Sequence, residues 1–259
     1  MALASGSLAQ QSGPTEGLDL AGGGAAGRVE LHIHHLIAAR LDQHRSAVGV
    51  LNAQLTLGGV LRVEAVPTED LNRVRWQDWV ESGEKVYGQL KSRCEHVILG
   101  GESMGGLVAL YLASRHPEVR GVMLYAPAIK LNISTADRIK LYLGSLFMPF
   151  AKRESMDASD KWQGYHPELP TKGIVQLLRF QDAVKKVLPQ IKQPIIIFQG
   201  RKDTTVDPAA GEMILSSVRS NIKEHHWMEN STHPILIDVE LDAVTDLSVR
   251  FTEKILKAG

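Results

Sequence analysis

The sequence predicts an α/β fold, a mostly parallel sheet covered by helices on both faces, with a helical insertion. Three observations carry this. Short apolar runs alternate with helical amphipathic stretches from Pro67 onward. One run ends in glycines around a serine and passes straight into an apolar helix. One interval, 128–190, far exceeds the usual αβ loop of about 2–6 residues.

The elements read in order as follows. Residues 1–27, "MALASGSLAQQSGPTEGLDLAGGGAAG", are rich in Gly, Ala, Ser and Gln and read as a flexible tail. They lack the basic start and long apolar core of a signal peptide. "VELHIHH" reads as a strand and "LTLGGVLRVEAV" as one or two more. In "TEDLNRVRWQDWVESGEKVYGQLKSR", Trp76, Trp79, Val80, Gly83, Val86, Tyr87 and Leu90 recur three or four apart, one face of a helix. "HVILG" is a buried parallel strand, and Leu107, Val108, Leu110, Tyr111 and Leu112 belong to a helix stopping at His116-Pro117. "VRGVMLYAP", "QPIIIFQG" and "KEHHWME" are further strands. Val244, Leu247, Phe251 and Ile255 form the stripe of a last helix. The domain reading is a core of 28–127 and 191–259, interrupted by a cap or lid at 128–190.

Composition narrows the function. Among 259 residues, 29 Lys and Arg balance 29 Asp and Glu, so no nucleic-acid partner or acidic membrane surface is expected. No stretch approaches the roughly 18 apolar residues of a membrane-spanning helix, so stable membrane insertion is not expected either. The single cysteine, Cys94, excludes an internal disulfide and fits a reducing compartment, so a cytoplasmic location is expected.

Ser103 sits in Gly101-Glu102-Ser103-Met104-Gly105, a G-x-S-x-G between strand and helix, as a nucleophile elbow requires. The glycines two before and two after relieve crowding at the serine Cβ, and Gly106 adds clearance against the sheet. The following helix start aims free N–H groups and a positive dipole end at the serine oxygen. A serine hydroxyl needs a base, and the base needs an orienting acid. The acid is expected after "PIIIFQG", where "GRKDTTVDP" offers Asp203 and Asp207. Asp203 is the better placed, while Asp207 precedes Pro208 and reads as a helix cap. Among ten histidines, His32, His34 and His35 precede the serine, and His225 and His226 lie on a strand, one expected buried and the other solvated. His233, in "ENSTHPILID", occupies the loop after the last strand, where the order Ser, acid, His demands it. "HIHH" loosely suggests metal ligands but lacks a second spaced cluster, so no metal or cofactor is expected.

Four stretches resemble the α/β-hydrolase superfamily, and within it the small bacterial carboxylesterases related to monoacylglycerol lipases. They are "TEDLNRVRWQDW", "GGESMGGLVALYLASRHPEVRGVMLYAPA", "PIIIFQGRKDTTVDP" and "MENSTHPILIDVELDAVTDLSVRFTEKI". The resemblance implies cofactor-free hydrolysis of a small-molecule carboxylic ester, short- to medium-chain or a monoacylglycerol, through an acyl-enzyme, by Ser103, Asp203 and His233. It implies an oxyanion hole from the Met104 N–H and a loop N–H, by position that of Leu36. It also implies a cap lining an acyl pocket, for which Leu141, Leu146, Phe147, Met148 and Phe150 are apolar enough. Residues 28–66 depart from the family: His35 stands where glycine is expected, and "LRVEAVP" replaces a Gly-His-Gly stretch. The alternative reading is a non-catalytic ligand-binding protein of the same fold lacking a complete oxyanion hole.

Overall fold

A computed structural model describes residues 48–51, 70–152 and 168–257. Within them β1 (Val48–Leu51), β2 (His96–Glu102), β3 (Gly121–Tyr125), β6 (Ile195–Gly200) and β7 (Lys223–Met228) form one sheet, in the order β1-β2-β3-β6-β7. Every pairing is parallel. A separate antiparallel pair joins β4 (Phe150–Lys152) to β5 (Glu168–Pro170). Six helices accompany them: α1 (Trp76–Lys91), α2 (Met104–Arg115), α3 (Thr135–Gly144), α4 (Thr171–Val187), α5 (Ala210–Ser217) and α6 (Leu241–Lys257). None of the described helices is long and apolar enough to cross a membrane.

The central strands are apolar on both sides, and their alternation sorts the core into two layers. Val97, Leu99, Val122, Leu124, Ile195 and Ile197 face one way, onto α1, α2, α4 and α5. Ile98, Met123, Tyr125, Ile196 and Phe198 face the other way, onto Val244, Val249, Phe251 and Ile255 of α6. The stripe expected for α1 is buried as read: Val80, Gly83, Val86, Tyr87 and Leu90 point inward, with Trp76 and Trp79 packed at its start. Gly83 permits close approach of α1 to α2, since a Cβ there would stand 2.8 Å from Val108 Cγ1. On α6 the buried face is Val244, Phe251 and Ile255, joined by Thr245, Ser248, Val249 and Thr252.

Strand β1 pairs with β2 from Val48↔His96 to Leu51↔Leu99, a strand the sequence reading did not contain. The strands expected at "VELHIHH" and "LTLGGVLRVEAV", and the tail 1–27, lie outside the described residues. Inside the interval 128–190, α3 buries no residue and rests on α4, with Arg138 paired to Asp182 at 3.1 Å. By contrast, α4 buries Val175, Leu178, Phe180 and Val184, and Trp76 stacks on Phe180.

The register aligns the ends of the strands: Glu102 lies opposite Tyr125, Tyr125 opposite Phe198, and Gly200 opposite Met228. Loops leaving β2, β6 and β7 therefore emerge side by side at one edge, where open α/β sheets bind ligands.

Candidate active site

The turn after β2 is sharp because nothing but hydrogen fits at position 101. A Cβ on Gly101 would lie 2.2 Å from the Gly105 carbonyl carbon and 2.6 Å from Gly106 N. The sequence reading assigned this crowding to the serine Cβ; the structure finds it between the flanking backbones. Ser103 then takes φ 52°, ψ −114°, a conformation L-residues rarely adopt, at a cost of about 1–3 kcal/mol. Two backbone bonds hold it there: Ser103 N–H donates to Tyr125 O (2.8 Å), and Ala128 N–H donates to Ser103 O (3.1 Å). Met104 opens α2, so its N–H belongs to the first turn, whose donors lack intrahelical acceptors.

After β6 the chain turns at once, and Asp203 N–H donates to Gly200 O. Asp203 Oδ1 accepts from Thr205 N–H (2.8 Å) and Val206 N–H (2.9 Å), which fixes the carboxylate plane and leaves Oδ2 turned away. Asp207 points elsewhere. It accepts from Ala209 N–H and pairs with Lys130 at 2.8 Å, which holds its carboxyl below the usual range. Residues 205–207 also pair with the segment leaving β3: Leu131 bridges Val206, and Asn132 N–H donates to Thr205 O.

The loop after β7 folds back over the end of β6. Lys202 N–H donates to Ser231 O, and a Cβ at Gly200 would stand 2.3 Å from Ser231 O and 2.5 Å from Thr232 O. That close pass delivers His233. Its Nε2 lies 3.0 Å from Ser103 Oγ and its Nδ1 lies 2.9 Å from Asp203 Oδ2. The Asp203 side chain is 2% exposed and that of His233 12%. A hydroxyl, an imidazole and a buried carboxylate thus stand in line, the arrangement in which an imidazole can take a hydroxyl proton.

The other sequence candidates are placed differently. His225 and His226 on β7 are both half-buried, rather than one buried and one solvated. His225 lies against Gly211, and burial holds its pKa below the usual value; His226 stacks on Phe198. Leu36, His32, His34 and His35 lie outside the described residues. Leu141 and Phe150 are half-buried, whereas Leu146 (70%), Phe147 (85%) and Met148 are exposed beyond the end of α3. Among the described residues no three His, Cys, Asp or Glu side chains are grouped to hold a metal ion. The sequence reading missed Gly200, whose role needs the path of a loop 31 residues later, and the carboxylates of Glu102 and Asp238, which hold the histidine loop. Nothing local distinguishes those two acids from ordinary turn residues.

The chain is similar to several known hydrolases. Residues 70–240 match the family model described as "Serine aminopeptidase, S33". The thermostable monoacylglycerol lipase of Bacillus sp. (strain H-257) is 30% identical over 191 residues, 72% of this chain and 74% of the relative. The carboxylesterase of Bacillus subtilis (strain 168) is 27% identical over 73% of this chain and 77% of its own length. Among solved structures, that of the metagenome-derived lipolytic enzymes LipS and LipT superposes with a TM-score of 0.70 at 24% identity, covering 81% of this chain and 94% of the other. A soluble variant of monoglyceride lipase from Saccharomyces cerevisiae, in complex with a substrate analogue, gives a TM-score of 0.63 at 17% identity, covering 81% and 87%.

Proposed function

We infer the reaction from the premise that this chain belongs to the serine aminopeptidase family of α/β-hydrolases. It is a carboxylic ester hydrolase, as its relatives named monoacylglycerol lipase and carboxylesterase are. The finer reading is a serine carboxylesterase acting on short- to medium-chain esters, monoacylglycerols among them, through an acyl-enzyme.

The observation that carries it is the imidazole of His233 lying between Ser103 Oγ and Asp203 Oδ2. In this reading Ser103 Oγ attacks the ester carbonyl as His233 Nε2 takes its proton. Asp203 accepts the Nδ1–H, holding the tautomer and stabilising the imidazolium. The oxyanion rests on the Met104 N–H, one such donor being worth about 10²–10³ in rate. His233 returns the proton to the departing alcohol, water attacks the acyl-enzyme by the same route, and the acid leaves. Of the interval 128–190, α4 packs into the core, while α3 and its following turn serve as the cap. Leu143, Leu146, Phe147 and Met148, apolar and exposed on α3 and its following turn, support it as a surface for an acyl chain.

The test is a series of p-nitrophenyl esters from about two to sixteen carbons, run beside amino-acid p-nitroanilides, with wild type and Ser103→Ala. Ester turnover with a short- to medium-chain optimum is expected, and Ser103→Ala should lower kcat by about 10⁴–10⁶ without loss of fold. Anilide cleavage without ester cleavage would make the protein a peptidase, and retained turnover in the variant would remove the serine from the reaction.

A further inference from the structure

We propose that Glu102 and Asp238 bracket the loop carrying His233 and set its distance from Ser103, acting as positioning residues; the proposal rests on the reading just given. Glu102 is the last residue of β2 and the immediate neighbour of Ser103. Its Oε1 accepts from the N–H of Leu236, at 3.2 Å. The serine turn is thereby tied to the histidine loop by a bond that does not pass through the imidazole. On the other flank, Thr232 donates both its N–H (2.7 Å) and its Oγ–H (2.6 Å) to Asp238 Oδ2. The second Asp238 oxygen accepts from Val239 N–H, and the residue is only 9% exposed.

Residues 232 and 236, one before and three after His233, are therefore each fixed by a carboxylate. Glu240 continues the pattern, its Oε2 accepting from Asn230 N–H and Ser231 Oγ–H at 2.8 and 2.7 Å. The segment is neither strand nor long helix; backbone bonds and the short 3-10 turn Ile235–Ile237 shape it, and the carboxylates add the ties that reach across it and to β2. The consequence is catalytic because an imidazole 3.0 Å from Ser103 Oγ has little room to drift. A misplacement of about 1 Å at such a site costs on the order of 10²-fold in rate.

The experiment compares Glu102→Ala, Glu102→Gln and Asp238→Ala in the full chain. Readouts are kcat and KM on a p-nitrophenyl ester, thermal midpoint, and the low-field proton resonance of the His233 Nδ1–H held by Asp203. Glu102→Ala and Asp238→Ala are expected to lower kcat by about 10–100-fold with KM changed less than about twofold, and to broaden the resonance. Glu102→Gln, whose carbonyl oxygen still accepts from Leu236 N–H, should stay within about threefold of wild type. Wild-type kcat and an undisturbed resonance in both Glu102→Ala and Asp238→Ala overturn the proposal. So does a Glu102→Gln as damaged as Glu102→Ala, which would make charge, not the hydrogen bond, the working feature. Should Glu102→Ala fail to fold, Asp238→Ala decides by the same criteria. A wild type inert toward every ester would defeat the functional reading alone, because the resonance reports the bracket without turnover.

Discussion

Ser103 is held at a positive φ by neighbours on both sides, Tyr125 O on its amide and Ala128 N–H on its carbonyl, so its strain is offset locally. Its partners differ in how far a sequence can reveal them. Asp203 and Asp207 stand four residues apart after the same strand, and chain order alone leaves both in reach. The structure separates them, giving one to Thr205, Val206 and His233 and the other to Lys130 and Ala209. His225 supplies a prediction at this scale. Burial disfavours its charged form, with His226 and Arg201 adding to the effect and Glu212 opposing it, so its pKa falls below the usual 6.5. No described group hydrogen-bonds its buried Nε2. The unfolded chain takes up this proton more readily, so the stability contributed by the neutral ring is present above about pH 6.5 and is lost as pH falls below it. The thermal midpoint of the wild type should drop between about pH 7.5 and pH 5, and His225→Gln should flatten that slope. Equal slopes in the two proteins would remove His225 as the cause.

Elements with a strong period were legible. The stripe on α1 and the apolar runs of β2, β3 and β6 follow from burial on one helical face and on both sheet faces, which composition alone records. Strand β1 was not. Four residues, Val48–Leu51, are too few to show a period, and they make a strand by pairing with β2. The loop after β7 is the other illegible element, since its path is set by contact with Gly200, distant in sequence. Gly200→Ala should displace it: the added methyl would meet Ser231 O and Thr232 O, and overpacking of this kind costs about 1–3 kcal/mol. Because that loop bears His233, kcat should fall at least about tenfold along with stability. Unfolding curves and ester kinetics on one preparation check both, and an unaltered kcat would detach the loop path from the reaction.

At the scale of the whole molecule the sheet separates two cores of unequal cover. Four described α-helices pack one face, while on the other α6 is joined by the short 3-10 helix Ile235–Ile237, with Phe251 fully buried against β3 and β6. Phe251→Ala should cost about 3–5 kcal/mol, read from urea unfolding, because its fully buried ring fills space between α6 and the sheet. A loss under about 1 kcal/mol would mean the cavity is refilled from elsewhere. The sequence by itself determined the alternation of strands and helices and the glycine-flanked turn at Ser103, since both are written in steric and hydrophobic preferences acting within a few neighbouring residues. Only the tertiary structure decided that Ser103 meets a histidine 130 residues later, that this histidine meets an aspartate 30 residues before it, and that Glu102 and Asp238 hydrogen-bond the loop carrying that histidine. Those encounters depend on parallel strands ending in register at one edge of the sheet, a property of their pairing that no single stretch of chain contains.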